Sequence, residues 1–590
     1  MSAIEEPGAD ASAIAAAAVS TKAAGKPANK AKPAKAPGLR QTMSDLHIWT
    51  GLLAGWILYA VFLTGTLAFF RDEMSIYMRP EWPAVEAHAP QQAAAIVQRM
   101  LDQTLAKEPA TQQVSITPPN ARNPVVGVRY HSAQLAAQEA ARGPQRGHQA
   151  PRGFVGGEYD PATGQPVQAR QTRGGDFFYL FHFNLHYMPA LWARWIVGLC
   201  AMFMLVAIIS GVITHKKIFA DFFTFRWGKG QRSWLDAHNA LSVLGLPFHF
   251  MITWSGLVTL MLLYLPWSVD WAFPTPVERQ QFAAQMRGGA SMAVRPSGQA
   301  APLASVQEMV LQAQQQWQVP HIGAVTVYHP GDANSKVLIT MGEQGKLSTT
   351  QRALVFDGTT GQVVDRFDGG GAAAETRGVL YGLHLGRFAD IVTRWLYFVV
   401  SWAGTAMVGT GLVLWTVKRR SRLPDPLQPH LGFRVVERLN IASIAGLSVA
   451  VAAYFWLNRL LPLATADRAA TEINGFFLVW LGTLAWALVR PAKRAWVELL
   501  ALAAVLLVLL PVANAVFTER DMLRSAWRGD WVFAGYELTL WVFAAAHAWL
   551  AYRTLRHQPK YKAKHKVKGS AKHGASSGAA AMQSKERGMA

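Results

Sequence analysis

Seven histidines lie in or beside the first four long apolar stretches of this 590-residue chain: His47, His182, His186, His215, His238, His249 and His384. The four later apolar stretches contain only His547. An ionisable or metal-ligating side chain within a bilayer is costly enough to be read as functional. Imidazole is the commonest metal ligand and a standard axial ligand of haem iron. The single cysteine, Cys200, lies in an apolar stretch, which leaves no disulfide framework and no cysteine-based zinc or iron–sulfur site. Histidines without thiolates point to haem b held between two imidazoles.

Spacing sharpens the choice. His238 and His249 lie eleven residues apart in "RSWLDAHNALSVLGLPFHF". On one continuous helix they return to within about 20° of the same face, about 16 Å apart along the axis. One face then offers ligands at two depths, as two haems stacked across a membrane require, with facing helices supplying the other ligands. Pro247 is a point where that helix can bend. By depth, His47, His215 and His238 could meet around an inner haem, and His182, His186 and His384 around an outer one. His238 and His249 lead as iron ligands, followed by His47 and His384, then His182, His186 and His215. The competing role for His238 and His249 is hydrogen bonding between helices. His215, in "THKK", and His186 also read as solvated boundary residues, and His131, His321 and His329 as surface residues. Arg232 either neutralises a haem propionate or pairs with Asp236 at a helix start.

The elements that position these residues are membrane spans. With 51% hydrophobic and 16% charged residues, the composition falls outside the range of soluble globular domains. Eight windows are long and apolar enough to cross a bilayer: about 47–70, 190–214, 235–265, 391–417, 440–461, 471–489, 495–517 and 531–553. Basic residues precede the first window and follow the second, fourth, sixth and eighth ("HKKIF", "KRRSR", "RPAKR", "RTLRH"), which puts both termini in the cytoplasm. The Ala-, Lys- and Pro-rich residues 1–45 read as a disordered tail. The tail from Arg553 onward carries ten Lys or Arg residues against one acid, which reads as an anchor on anionic lipid rather than a nucleic-acid site.

Two segments interrupt the spans, at about 71–176 and 266–388, and both are expected on the outer side. Each has a helix-like stretch ("QQAAAIVQRMLDQTLAKE", "LASVQEMVLQAQQQW"), then strand-like runs, then a turn echo, "YDPATGQPVQAR" and "FDGTTGQVVDRF". They look like two copies of one small α+β domain. The repeat continues into the membrane: His47 precedes Gly65, and His238 precedes Gly256, by 18 residues each, while His182 aligns with His384 and Gly211 with Gly411. The units are thus 46–214 and 235–417, joined by a loop at 215–234. A linker at 418–438 leads to a separate four-span module at 439–553.

"HIWTGLLAGWILYAVFLTGTLAFF", the paired "DPATG" and "DGTTG" turns, "LHLGRF" and "GVITHKKIFADFFTFRWGKGQRSWLDAHN" together resemble the PepSY-associated transmembrane proteins, over about Leu39 to Arg420. The resemblance implies a bacterial inner-membrane protein tied to iron acquisition, similar in some members to b-haem ferrisiderophore reductases. It says nothing about the last four spans. With no nucleotide-binding motif in the chain, electrons would come from a cytoplasmic reductant or from quinol, and the resemblance implies a ferric siderophore as the acceptor outside. A membrane protein whose outer domains bind peptides or partner proteins without catalysis, and a transporter, are the other classes the sequence admits.

Overall fold

The computed structural model describes residues 38–86, 89–141, 153–215, 217–286 and 294–558. The expected tails lie outside the described residues up to 37 and after 558. Residues 39–45 are helical, so the first helix begins before the tail was expected to end.

Helix α1 (Leu39–Ala68) is followed by the short α2 (Arg71–Tyr77) and by α3 (Pro90–Lys107). Strands β1 (Gln113–Thr117), β2 (Val126–His131) and β3 (Phe154–Tyr159) come next, then α4 (Asp176–Asn184) and α5 (Ala190–Thr214). The second unit contains α6 (Gln231–Leu244), α7 (Leu246–Thr259) and α8 (Val306–Trp317), with β4 (Ile322–Tyr328), β5 (Lys336–Met341), β6 (Ala353–Asp357) and β7 (Val363–Phe367). Helices α9 (Ala372–Leu385) and α10 (Ile391–Arg420) close it. The remainder is α11 (Leu431–Leu460, with a π-helical turn at Ala442–Gly446), α12 (Arg468–Val489), α13 (Ala492–Phe517) and α14 (Trp531–Arg556).

Among the described residues, six helices, α1, α5, α10, α11, α12 and α13, are long and apolar enough to cross a membrane. The expected third span is not one straight helix. It breaks at Gly245, where α6 and α7 meet at 68°, with Pro247 in the first turn of α7. His238 and His249 therefore do not share a helix face, and the two-depth ladder expected from an unbroken span is not formed. The expected eighth span, α14, has the length, but Glu537, His547 and several Trp and Tyr residues dilute its apolarity, and it lies outside that set of six.

The strand-like runs form a single antiparallel sheet in the order β3-β2-β1-β4-β5-β6-β7. The two segments expected as separate copies are joined where β1 pairs with β4, Val114 opposite Val327 and Ile116 opposite Val325. Edge strands left alone expose unpaired backbone groups, and joining the copies through these two edges removes both. Val114 and Ile116 alternate inward and meet Val325, Val327, Ile339 and Phe356 beneath α3 and α8 in one shared core. The echoed turns match in detail. Asp160 accepts from the Ala162 N–H, Asp357 accepts from those of Thr359 and Thr360, and Gly164 and Gly361 follow with φ of 69° and 71°.

The last four helices are tied to the repeat by buried polar contacts. Asn440 accepts from Trp56 Nε1 and donates to the Leu412 carbonyl, at 2.8 and 2.9 Å. Toward the sheet, Arg468 pairs with Glu472, which also accepts from Asn458 and Thr172, and Arg459 donates to the Tyr77 carbonyl.

Candidate functional site

Four of the seven histidines are held in one recurring way. In each, ring Nδ1 lies within hydrogen-bond reach of a main-chain carbonyl on a neighbouring helix: His47 on Ala207 at 2.8 Å, His182 on Val61 at 2.7 Å, His238 on Met407 at 2.9 Å and His384 on Ile252 at 3.0 Å. A carbonyl only accepts, so Nδ1 carries the proton and Nε2 keeps its lone pair. Four residues after each carbonyl stands a glycine, Gly211, Gly65, Gly411 and Gly256 respectively, against which the ring lies. A Cβ there would come within 3.2, 2.6, 3.1 and 2.9 Å of the imidazole.

Each glycine follows a hydroxyl residue: Ser210, Thr64, Thr410 and Ser255. Thr410 donates to the carbonyl that also receives the imidazole, at 2.9 Å, while Ser210, Thr64 and Ser255 lie 3.2, 3.2 and 3.3 Å from theirs and donate over a shorter distance, 2.6, 2.7 and 2.6 Å, to the carbonyl one residue earlier. The hydroxyl–glycine dipeptide is thus a notch: the glycine gives the ring room, and the hydroxyl satisfies itself within its own helix. The sequence repeat had marked these glycines as landmarks only. Their part in seating the rings emerges when the neighbouring helix is in place.

The notches bring the rings together in pairs. His47 and His238 have centroids 6.2 Å apart, and His182 and His384 6.1 Å apart. The first pair joins α1 to α6 at the end distant from the sheet. The second joins α4 to α9 at the sheet side. Since each pair takes one histidine from each repeat, the duplication assembles both.

The other candidates are placed differently. His249 is buried, with Nε2 3.3 Å from the Val400 carbonyl and Gly404 behind it, but Ala403 takes the place of the hydroxyl. Its ring neighbours are Phe62 and Phe248, and its Nδ1 is buried without a hydrogen-bond partner among the described residues. His215 Nε2 meets Asn239 at 2.9 Å. His186 stacks on Phe477, and burial lowers its pKa, as does nearby Arg173. Arg232 is exposed at the start of α6. Its expected partner Asp236 is instead held by Arg226, through Nη2 at 2.6 Å and Nε at 2.9 Å. Arg226 lies outside α6 and ten residues from Asp236, so helical spacing does not reveal it.

An apolar cavity adjoins the sheet-side pair, walled by Phe62, Val197, Met204, Leu257 and Leu260. Its mouth carries Arg71, Arg122 and Arg387, none of which was singled out in the sequence, although Arg387 follows His384 by three residues in "LHLGRF". Tyr179 lies between two of them, with Arg71 4.9 Å and Arg387 6.0 Å from its ring centre. Burial, followed by the nearby Arg394 charge, pulls the Arg122 pKa below its ordinary value. The same three arginines line a second cavity of about 790 Å³ beneath the sheet, where seven basic side chains face four acids. Among the described residues, no group of three or more His, Cys, Asp or Glu side chains could hold a bare metal ion.

The family model of the PepSY-associated TM region matches residues 44–418. The chain belongs to this family. The match spans both repeats, and so all four notches, and ends before α11. No curated protein matches the chain. The chain is therefore a multi-pass membrane protein of this family, and its last four long helices lie beyond the matched region.

Proposed function

We propose that this protein binds two b-type haems, one on each histidine pair, and moves electrons through the membrane to an iron chelate held beneath the sheet. The observation that carries the reading is the paired, notched histidines. Two imidazoles that held one metal between them through Nε2, at the metal–nitrogen distance of about 2.0–2.1 Å usual for histidine, would have ring centres roughly 6 Å apart. The pairs stand at 6.2 and 6.1 Å. Two nitrogen ligands without further protein donors suit a metal whose remaining positions are filled by a macrocycle.

When bound, haem supplies one-electron redox chemistry. The chain's own residues supply orientation and surroundings. The Nδ1–H bonds fix the tautomer, leave Nε2 as the ligand and raise its basicity. The glycines let the rings seat against the helices. Apolar walls keep water from the sheet-side pair, and Arg71, Arg122 and Arg387 offer charge to carboxylates at the cavity mouth. In the second cavity the basic excess favours an anionic chelate of Fe(III), such as a siderophore, close to the sheet-side pair.

In this reading α6–α7 and α14 also cross, giving eight spans and a sheet outside the cytoplasm. Lys418, Arg419 and Arg420 at the end of α10 support cytoplasmic termini in a bacterial inner membrane. A cytoplasmic reductant or membrane quinol provides the electrons. The test is an absorption spectrum of protein made with haem available, before and after dithionite. A Soret band and a reduced α band are expected, and their absence overturns the reading.

A further inference from the structure

A third cavity, about 680 Å³, lies between the repeat and the added module and is mostly apolar. Its walls come from α1, α10, α11 and α14, with the sheet's loops as a roof at Ala121 and Gln344. It does not include the four paired histidines. At the sheet-side end Phe70 lies 4.7 Å from Trp395 and 5.5 Å from Phe398, with the Arg394 guanidinium 5.1 Å over its ring. Arg394 Nη1 donates to Glu73 Oε1 at 2.6 Å, and both side chains are buried.

That ion pair is incompletely satisfied. Glu73 Oε2 and Arg394 Nε are both buried and have no hydrogen-bond partner. One acceptor and one donor are therefore open on a pair whose charges cancel, at the end of an apolar cavity. Buried polar atoms without partners are costly enough to ask for a ligand that fills them. Arg122 and Asp390 also line the cavity and balance one another, so a phospholipid phosphate would face the Glu73 carboxylate without net positive charge around it. A neutral, flat head that both donates and accepts meets the charge balance, the open atoms and the aromatic walls together.

We propose that this cavity binds a membrane hydroquinone, with its ring among Phe70, Trp395 and Phe398, one hydroxyl between Glu73 Oε2 and Arg394 Nε, and its isoprenoid tail along α10 and α14. Binding forms no bond and moves no electron. That the hydroquinone is the electron source rests on the haem reading above, whereas its binding does not.

The test uses the full chain in detergent, titrated with the decyl-tailed benzoquinol while tryptophan emission, to which Trp395, Trp402 and Trp531 in the cavity wall contribute, is followed. Gly535 also lines it, and a Cβ there meets nothing within 4 Å, so Gly535→Leu carries its side chain into the cavity from a backbone position with room for the first carbon. Saturable quenching is expected, weakened at least tenfold in Gly535→Leu and in the double variant Glu73→Gln/Arg394→Met. Non-saturable quenching, an affinity unchanged by Gly535→Leu, or displacement by phosphatidylglycerol as strong as by the quinol overturns the proposal. Saturable binding in a protein that takes up no haem leaves it standing and overturns the electron-transfer reading. Two haems without saturable binding do the reverse.

Discussion

Gly65→Ala tests the notch directly. The added Cβ would lie 2.6 Å from His182 Cε1 and 2.7 Å from Nδ1, whereas ordinary contact begins at 3.4 Å. The ring must therefore retreat by about 0.8 Å, and its hydrogen bond to the Val61 carbonyl, now 2.7 Å, stretches beyond useful length. Overpacking of this kind costs about 1–3 kcal/mol, and the lost hydrogen bond about 0.5–1.5 kcal/mol more. Either the helices part or the ring leaves its partner His384, and in both cases the sheet-side pair loses its spacing. Haem content per chain, measured as the pyridine haemochrome, should fall from two toward one. The other notches rank by the same contact: Gly256→Ala at 2.9 Å next, then Gly411→Ala at 3.1 Å and Gly211→Ala at 3.2 Å. Gly51→Ala on the same helix meets nothing within 4 Å and serves as the control. Full haem content and unchanged thermal stability in Gly65→Ala would refute the argument, as would a loss in Gly51→Ala of equal size.

His249→Ala should keep both haems while lowering the thermal midpoint, because His249 rests on Val400 and Gly404 rather than facing another histidine; loss of one haem would make it a ligand. Arg468→Met leaves Glu472 buried without its cation, and stranding one partner of a buried pair costs about 3–5 kcal/mol. Chemical denaturation should register that loss, and a change below about 1 kcal/mol would rule out the network as the clamp of the added module. The Lys336 ammonium and the Thr359 hydroxyl hold the Asp357 carboxyl well below the usual carboxylate range. A depressed folded pKa stabilises above the unfolded value of about 3.9 and is lost as pH falls toward the folded value. Asp357→Asn should thus cost about 1–2 kcal/mol at pH 7 and progressively less in acid, as read by pH-dependent unfolding. A cost that grows as the pH falls would contradict that assignment.

The repeat was legible because it preserves spacing. His47 to Gly65 and His238 to Gly256 are each 18 residues, and the copies align His182 with His384. Interaction between helices is not written in spacing, and so the pairing of His47 with His238 followed from depth alone. The helix face that His238 and His249 were expected to share requires one straight helix through Gly245, where the chain turns by 68°. Gly245 caps the preceding helix and Pro247 starts the next, a combination that favours a break over a gentle bend. The joined sheet escaped notice for another reason. Periodicity identifies β1 and β4 as strands, but their pairing links residues more than 200 positions apart and depends on two edges meeting in space. The basic mouth around Arg71, Arg122 and Arg387 likewise gathers residues from three distant segments.

Haem stoichiometry in paired variants tests the central claim most directly. His47→Ala and His238→Ala should each lower the content from two haems to one, and the double variant should still hold one, because both ligands belong to the same site. His47→Ala combined with His384→Ala should hold none. Two haems retained in the first double variant, or one retained in the second, would contradict the pairing.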